Sequence, residues 1–306
     1  MRLKQTLQAL CGVFLLLGGE CYAKTAGITA IILNEGPWLK EWIHYHRNLG
    51  FSKFILFDNG STDNTAEVLA GFIEEHLVEL VSWPDKATTG NWVLTTQTPA
   101  LNEGLKRLRT QGYDWVAAID VDEYIVPEQG DSILDVLDDF EMRFPKAAVL
   151  GISWRLYGDS DIWMLQHDEL MIEKLRRRSA LEWRWNTIGK GIIKIGQMQE
   201  YADPHVFRVR GAPQICLDGS PYAYPNQGSA NGLVINHYYP RTEHFSQVEK
   251  ESQSQKILHR PFNWRLYKDF NKEEDTDRWI DRFIPGVKAA LEVDLARPGS
   301  APMVAR

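Results

Sequence analysis

Residues 115–127 read WVAAIDVDEYIVP, a stretch that joins an apolar run to a pair of carboxylates. The run from Trp115 to Ile119 is typical of a strand that is buried on both faces of a parallel sheet. Asp120 and Asp122 follow it, and side chains two positions apart in an extended segment project to the same side. A solvated acidic turn is the competing interpretation. The apolar residues on both sides of the acids favour a buried strand end instead.

The carboxylate pair itself predicts a metal site. Two carboxylates this close repel each other unless a cation or protons lie between them. Hard divalent cations prefer such oxygen ligands and often bridge them to substrate phosphates. We therefore expect Asp120 and Asp122 to bind a divalent cation, with Val121 pointing into the core.

Strand and helix patterns alternate on both sides of this stretch. The predicted strands cover residues 28–33, 53–57, 77–82, 115–119 and 147–152, and the predicted helices cover residues 37–49, 63–75, 95–111 and 132–144. Pro37 suits the first turn of a helix and Gly50 suits a helix end. This alternation predicts an α/β fold, with a mainly parallel twisted sheet and helices on both faces.

The chain divides into four predicted parts. Residues 1–24 form an apolar segment that is read either as a cleaved signal or as a membrane anchor. Residues 25–152 carry the regular α/β pattern, whereas residues 153–296 are rich in tryptophan and arginine and form a less regular half, with a polar helix predicted over residues 243–258. Residues 297–306 are predicted to be a disordered tail.

Composition excludes several classes of protein. The net charge of -7 argues against nucleic-acid binding, which usually needs a basic surface. The three cysteines show no CxxC spacing and no disulfide framework, so a structural zinc site is not predicted. A nucleotide pocket remains compatible with this charge, because it needs only a few local cations or a metal.

Polar residues also follow the first two predicted strands. Asn34-Glu35 comes after the first strand, and the segment from Asp58 to Asp63 comes after the second. Taken alone, the second segment is typical of a turn with a helix cap. Ligands of open parallel sheets bind outside the carboxyl ends of the strands, so three polar clusters at one edge favour a binding site.

Several motifs together resemble one group of enzymes. They are Asn34-Glu35, Leu39-x-x-Trp42-x-x-Tyr45-His46, Asp58-Asn59-Gly60-Ser61-Thr62-Asp63, Gln97 with Asn102, Asp120-Val121-Asp122, Trp154-Arg155-Leu156-Tyr157-Gly158, Pro204-His205 and Asn236-His237-Tyr238-Tyr239. With them the chain resembles the GT-A glycosyltransferases, nearest to the family-2-like and family-92-like groups. The resemblance implies a GT-A-like fold with a nucleotide-sugar-binding half and a half that completes the site and binds the acceptor.

The resemblance also implies roles for individual residues. Those implied for donor binding are Asn34, Glu35, Asp58, Asn59, Gln97, Asn102 and Lys194. Asp58 is expected to accept hydrogen bonds from the base or ribose of the donor. Asp120 and Asp122 are expected to hold Mn²⁺ or Mg²⁺, with His237 as the third ligand and His205 as the second choice. A satisfied structural role is the competing interpretation of each histidine.

Such an enzyme makes two demands on its side chains. Basic residues such as Lys190, Lys194 or Arg208 would stabilise the charge that develops on the leaving nucleoside diphosphate. An inverting enzyme also needs a base to deprotonate the acceptor hydroxyl. Asp159, Asp161 and Glu182 are the candidates for this base, Asp159 and Glu182 first among them, and the sequence does not choose among them.

The expected function is therefore the metal-dependent and inverting transfer of a sugar from a nucleotide-sugar donor to a glycan, lipid-linked or protein-linked acceptor. A nucleotidyltransferase is one alternative, although Asn34-Glu35-Gly36-Pro37 lacks a glycine-rich basic loop. A non-catalytic carbohydrate-binding protein is another, although both aspartates are intact. The location is expected to be membrane-associated, with cytoplasmic and secreted locations as alternatives.

Overall fold

The computed structural model describes residues 23–84, 91–223, 229–252 and 268–296. The predicted signal or anchor falls mainly on residues 1–22, which lie outside the described part, as does the predicted tail of residues 297–306. No helix of the described part has both the length and the apolar character needed to cross a membrane.

The first half alternates strands and helices. Its strands are β1 (Ala26–Ile32), β2 (Lys53–Asp58), β3 (Val78–Ser82), β4 (Trp115–Ala118), β5 (Glu123–Pro127) and β6 (Val149–Leu156). Its helices are α1 (Gly36–Leu49), α2 (Thr65–Glu74), α3 (Thr98–Thr110), which follows a wider turn at Val93–Gln97, and α4 (Ile133–Arg143). The predicted elements are all present, with ends shifted by a few residues.

Local chemistry explains where the helices begin and end. Gly50 ends α1 in the left-handed region with a φ of 113°, a conformation that glycine adopts without strain. The Oγ atom of Ser132 accepts hydrogen bonds from the backbone N–H groups of Leu134 and Asp135, so Ser132 is the cap of α4. The sequence favours Thr62 or Asp63 as the cap of α2, but Asn64 stands at the cap position without a side-chain hydrogen bond, and Asp63 accepts the N–H of Thr65 at 3.0 Å.

The second half is built from shorter elements. Its helical pieces are α5 (Met171–Lys174), α6 (Glu243–Phe245), which continues as a wider turn through Ser246–Lys250, and α7 (Ile284–Leu295), with tight turns at Arg184–Thr187, Lys268–Asn271 and Trp279–Phe283. Its strands are β7 (Arg177–Arg178), β8 (Gly189–Lys194), β9 (Met198–Asp203), β10 (Val206–Val209), β11 (Gln214–Cys216), β12 (Leu233–His237) and β13 (Glu273–Glu274). The polar helix predicted over residues 243–258 is helical through residue 252, where the described segment ends.

One large sheet runs through both halves in the order β3-β2-β1-β4-β8-β6-β12-β5, and β11 pairs with β6 beside this path. The pairs β1–β2, β1–β4, β2–β3, β6–β12 and β6–β11 are parallel, whereas β8 and β5 run antiparallel to their neighbours. Apolar side chains pack on both faces of the sheet. The predicted α/β fold with a mainly parallel sheet is confirmed.

The sheet curls, and the curl positions the acidic segment. β4 and β5 are joined by residues 119–122 alone, although β8, β6 and β12 lie between them in the sheet. In a flat sheet four strand spacings would separate them by about 19 Å. The prediction of an extended Asp120–Asp122 segment is wrong in this respect: the chain turns here, and the N–H of Glu123 donates to the carbonyl of Asp120 at 3.0 Å. Val121 is buried in the core, as predicted.

Candidate functional site

Helix α1 fixes the strand that follows the acidic turn. The indole N–H of Trp42 donates to the carbonyl of Glu123 at 2.9 Å, and the hydroxyl of Tyr45 donates to the carbonyl of Ile125 at 2.8 Å. The ring of His46 accepts the N–H of Ile125 at 3.4 Å. These three side chains are fully buried, so the motif Trp42-x-x-Tyr45-His46 holds β5 and the turn before it in place.

Asp120 is paired with a buried lysine. The Nζ atom of Lys190 lies 3.1 Å from Oδ2 of Asp120 and 3.5 Å from Oε2 of Glu123. Glu123 also accepts the N–H of Asp120 at 2.8 Å, and Gln97 donates to Oδ1 of Asp120 at 3.4 Å. Burial raises the pKa of Glu123 to about 7, although the nearby Lys190 charge acts against this shift.

Asp122 is surrounded by cationic and imidazole groups. Its carboxylate is 3.0 Å from Nζ of Lys250, 3.4 Å from Nε2 of His237 and 3.8 Å from a guanidinium nitrogen of Arg241. Burial raises the pKa of Asp122, but Lys250 and His237 outweigh it and hold that pKa well below its usual range. The described environment therefore keeps Asp122 ionised, although the side chain is only 7% exposed.

Glu35 is held by the same arginine. The Nη1 atom of Arg241 lies 2.7 Å from Oε2 of Glu35, and the guanidinium lies over the rings of Trp38 and Phe245 at 5.0 and 4.5 Å. Burial raises the pKa of Glu35, with the Arg241 charge opposing it. Arg241 thus joins the first polar cluster to Asp122.

The first two polar clusters meet, as predicted. Asn34 accepts the N–H of Thr62 at 2.8 Å through its side chain, and its own N–H donates to the hydroxyl of Ser61 at 2.9 Å. Asp58 accepts the N–H groups of Gly60 and Ser61 at 3.2 and 2.8 Å. Asn34 and Asp58 therefore shape two loops at the carboxyl ends of β1 and β2.

The other residues expected to bind the donor are spread more widely. Asn59 lies in the same loop and donates to the carbonyl of Trp83 at 2.8 Å. Asn102 instead pairs through both side-chain atoms with the backbone of Tyr201, at 3.0 and 2.8 Å. Lys194 pairs with Trp115 in the sheet register, at the start of β4 and away from Asp120, and its ammonium contacts Glu141. The structure does not bring Asn102 or Lys194 to the acidic turn.

The candidate bases lie in the second half. Asp159 is half-buried and accepts hydrogen bonds from Asn271 at 2.6 Å and from the N–H of Asp161 at 2.9 Å. Glu182 is exposed. Asp161 forms an ion pair with Arg177. Position alone therefore leaves both Asp159 and Glu182 as candidates.

The two histidines differ in their position. The ring of His237 contacts Asp122 and lies 4.5 Å from the ring of Trp154. The ring of His205 lies 5.3 Å from the ring of Trp154. Its Nδ1 atom is hydrogen-bonded to the carbonyl of Gly189 at 2.7 Å. Burial lowers the pKa of His205 to about 4. Of the two, His237 is the one in contact with the acidic turn.

Within the described residues, no group of three or more histidine, cysteine, aspartate or glutamate side chains is arranged to hold a metal ion. Lys190 pairs with Asp120 and Lys250 with Asp122, so protein cations offset the charge of the acidic turn. The oxygen and imidazole groups of Asp120, Asp122 and His237 are nevertheless the donor types that Mn²⁺ and Mg²⁺ accept.

Sequence reasoning missed Arg241 and Lys250. Arg241 follows the Asn236-His237-Tyr238-Tyr239 motif by two positions, which was a usable signal. Lys250 lies in a polar stretch whose pattern predicts only a solvated helix. The sequence gives no sign that this lysine reaches a carboxylate 128 positions away.

Comparison with known proteins finds chains related to this one. The model of glycosyltransferase family 92 matches residues 28–199. A family 92 protein of Ricinus communis is 27% identical over 215 residues, which are 69% of this chain and 34% of that protein. One of Arabidopsis thaliana is 30% identical over 98 residues, or 32% of this chain and 16% of that protein. This chain thus spans about a third or less of the length of these relatives.

Solved structures show a weaker likeness. Staphylococcus aureus TarS, in a complex with UDP, is 14% identical with a TM-score of 0.38, over 56% of this chain and 47% of that one. Glucosyl-3-phosphoglycerate synthase of Mycobacterium tuberculosis, in a complex with Mn²⁺, UDP and glucosyl-3-phosphoglycerate, is 19% identical with a TM-score of 0.28, over 43% of this chain and 44% of that one.

Proposed function

Because the chain belongs to glycosyltransferase family 92, we propose that it transfers a sugar from a nucleotide-diphosphate sugar to an acceptor hydroxyl, with a divalent cation at Asp120 and Asp122. The family match confirms the resemblance predicted from the sequence. It also favours sugar transfer over nucleotidyl transfer and over carbohydrate binding without catalysis.

The observation that carries the proposal is the charge arrangement at one sheet edge. Asp120 and Asp122 lie on one tight turn, and each carboxylate is matched by a lysine ammonium, Lys190 or Lys250. Asp122 and Lys190 are buried, and the desolvation of a buried ion pair can exceed the gain from its attraction, so this arrangement favours a functional role over a purely stabilising one. A diphosphate with its cation brings both negative and positive charge to such a site.

The chemistry of the donor set supports cation binding. Asp120 and Asp122 supply carboxylate oxygens, and His237 supplies an imidazole 3.4 Å from Asp122. These residues would hold Mn²⁺ or Mg²⁺, which supplies Lewis-acid stabilisation of the leaving diphosphate. For this to happen, Asp122 has to exchange at least one of its present partners.

Lys250 is the partner best suited to leave. It is half-buried, whereas Lys190 is only 2% exposed and is held by both Asp120 and Glu123. Once released, the Lys250 ammonium would bind the diphosphate oxygens and stabilise the charge that develops on them. Lys190 would stay in place and keep the Asp120 carboxylate oriented.

The acceptor side of the reaction needs a base, and we propose Glu182. Glu182 is exposed and follows Leu181, which lines a cleft beside Trp154. Asp159 already accepts hydrogen bonds from Asn271 and from the N–H of Asp161. These contacts suit a residue that positions its neighbours. A base that removes the acceptor proton directly is the requirement of an inverting reaction.

Attachment to a membrane through the N-terminal segment remains part of the proposal.

Thermal stability with nucleotides tests the proposal. The melting temperature of the full chain is measured with UDP, GDP, ADP or dTDP, each with and without Mn²⁺. At least one diphosphate is expected to stabilise the protein only when Mn²⁺ is present. Asp122→Ala should abolish that stabilisation and sugar transfer while the protein stays folded, whereas the exposed Asp168→Ala should keep both. Full transfer by Asp122→Ala in excess chelator would refute the metal assignment.

A further inference from the structure

Glu123 and His237 lie directly opposite each other in the sheet, because the antiparallel register of β5 with β12 pairs these two residues. The N–H of Tyr238 donates to the carbonyl of Asp122 at 2.8 Å, so the neighbouring pair of Glu123 and His237 is one without backbone hydrogen bonds between its members. The side chains of such a pair project from the same face of the sheet, and their Cβ atoms are about 4.5–5.5 Å apart. A glutamate and a histidine can therefore interact across this pair, directly or through one water.

Each of these two side chains carries a buried atom that has no hydrogen-bond partner among the described residues. The two atoms are Oε1 of Glu123 and Nδ1 of His237. Glu123 is 0% exposed and His237 is 4% exposed, so bulk water does not satisfy either atom. A buried polar atom that stays unpaired is costly, so two such atoms on facing side chains point to a hydrogen bond between them or to a buried water that joins them.

The other polar atom of each side chain is already occupied. Oε2 of Glu123 accepts the N–H of Asp120 at 2.8 Å and lies 3.5 Å from the ammonium of Lys190. Nε2 of His237 lies 3.4 Å from Oδ1 of Asp122 and so faces the acidic turn. The contacts at Oε2 and Nε2 thus fix the carboxylate and the imidazole, and leave Oε1 and Nδ1 for each other.

The position of the imidazole proton decides whether His237 can bind a metal. A histidine binds a metal through a ring nitrogen that carries no proton. The free nitrogen is set by the hydrogen bond of the other nitrogen, and metal-binding histidines almost always donate that second N–H to a carboxylate, a backbone carbonyl or a water. A carboxylate beside Nδ1 keeps the proton there, which leaves the lone pair of Nε2 available on the side of Asp122.

We propose that Glu123 is a positioning residue, which holds a proton of His237 on Nδ1, directly or through one buried water, and so reserves Nε2 for the cation. The inference rests on the proposed function, in which His237 is a ligand of Mn²⁺ or Mg²⁺, and it adds the residue that prepares this ligand. Glu123 acts through His237 and is not itself a ligand.

Nitrogen NMR of the metal-free protein tests where the proton lies. The full chain is labelled with ¹⁵N in its histidine rings and measured at about pH 8, and the signals of His237 are those that His237→Gln lacks. Nδ1 is expected to carry a proton. In Glu123→Gln the amide oxygen keeps the bond with the N–H of Asp120, so the amide nitrogen, a donor, faces Nδ1, and Nδ1 is expected to lose its proton. An unprotonated Nδ1 in wild type overturns the proposal, whether or not the variant folds.

Titration calorimetry with Mn²⁺ alone measures the consequence for the cation. Glu123→Gln is expected to raise the Kd about ten- to hundredfold, the usual cost of losing such a partner. Glu41→Gln is the matched control, because Glu41 is also fully buried but accepts the N–H groups of Met171 and Ile172, both at 3.0 Å. The control should change neither the Kd nor the Nδ1 signal. An equal rise in Kd in both variants would reflect the loss of any buried carboxylate and would overturn the proposal.

A double-mutant cycle separates action through His237 from support of Asp120. In the His237→Gln background, Glu123→Gln should raise the Kd for Mn²⁺ no further. A further rise as large as that in wild type would show that Glu123 acts through Asp120, against the proposal. Absence of Mn²⁺ binding by wild type, alone and with each nucleotide of the stability test, would refute the metal assignment of the proposed function. The NMR result would then still decide whether Glu123 holds the proton of His237.

Discussion

The ammonium of Lys250 lies 3.0 Å from the carboxylate of Asp122 and 4.0 Å from the centre of the Tyr239 ring. A lysine from the second half of the chain thus stabilises the charge of a carboxylate on the turn between β4 and β5. Any cation that binds Asp122 through this oxygen has to compete with Lys250.

Replacing Lys250 should separate metal binding from transfer. Lys250→Met removes the competing ammonium, so the affinity for Mn²⁺ without nucleotide is expected to rise about tenfold, as the loss of a charged hydrogen bond predicts. Transfer should fall at the same time, because the ammonium no longer binds the diphosphate. Isothermal titration with Mn²⁺ measures the first effect. Lys272→Met, at an exposed lysine paired with Asp269, is the control, and unchanged or weaker Mn²⁺ binding by Lys250→Met would argue against competition.

Glu35 offers a test between donor binding and support of the site. Glu35→Gln leaves the buried Arg241 without its 2.7 Å carboxylate partner, so the free energy of unfolding is expected to fall by about 3–5 kcal/mol. Urea unfolding measures this loss. If stability is unchanged while the KM for the donor rises, Glu35 instead contacts the nucleotide, as the sequence resemblance implies.

His46 predicts acid sensitivity of the strand that carries the site. Burial lowers the pKa of His46 to about 3, and the neutral ring donates to the carbonyl of Trp42 while it accepts the N–H of Ile125. The unfolded chain therefore binds a proton below about pH 6.5 that the folded chain does not bind, so stability falls as the pH falls from about 6.5 toward 3.

The size of this effect between pH 6.5 and pH 5 is about 2 kcal/mol. Urea unfolding of wild type and His46→Gln at both pH values isolates it, since the glutamine cannot be protonated. The stability difference between the two proteins should shrink by this amount at the lower pH. An equal difference at both values would show that the ring is not held neutral.

Asn102 and Lys194 were expected to bind the donor, and their positions predict a different result. Asn102→Ala removes two hydrogen bonds to the backbone of Tyr201, so a loss of about 2 kcal/mol in stability is expected without a change in donor KM. Lys194→Met, on β8 opposite the start of β4, should also leave the donor KM unchanged. A rise in KM of tenfold for either variant would place that residue in the donor pocket after all.

Glu182 and Asp159 are distinguished by how their loss acts on the reaction. Glu182→Gln should lower kcat for transfer by about a hundredfold or more, the usual contribution of a general base, and should leave donor binding intact. Asp159→Asn should mainly lower stability, because Asn271 loses a 2.6 Å hydrogen bond to a charged partner. The reverse pattern would assign the base to Asp159.

The sequence predicted the regular half of the fold well because its signals are local. The buried pattern of β1, Gly50 at the end of α1 and the cap at Ser132 each act within a few residues. The acidic turn was located correctly, but its conformation was not. The return of β5 to the far side of β12 depends on the curl of the whole sheet, which no local pattern encodes.

The candidate site was predicted where it lies on strand ends and missed where it depends on distant contacts. Asn34 and Asp58 meet because parallel strands bring their loops to one edge. Lys250 and Arg241 reach Asp122 only through tertiary folding of the second half. Lys194 and Lys190 look alike in sequence, and only the register of β8 against β4 decides which of them lies near Asp120.

The antiparallel pairing of β5 with β12 has a consequence for engineering. The turn that carries both aspartates is connected at one end to β4, and at the other end to a strand whose hydrogen-bonding neighbour comes from residues 233–237. A chimera that joins the N-terminal half of this chain to the C-terminal half of a relative would pair β5 with a strand from the other protein. A mismatch of one residue in that pairing would rotate His237 away from Asp122, so recombination points are best chosen to keep both strands from a single parent.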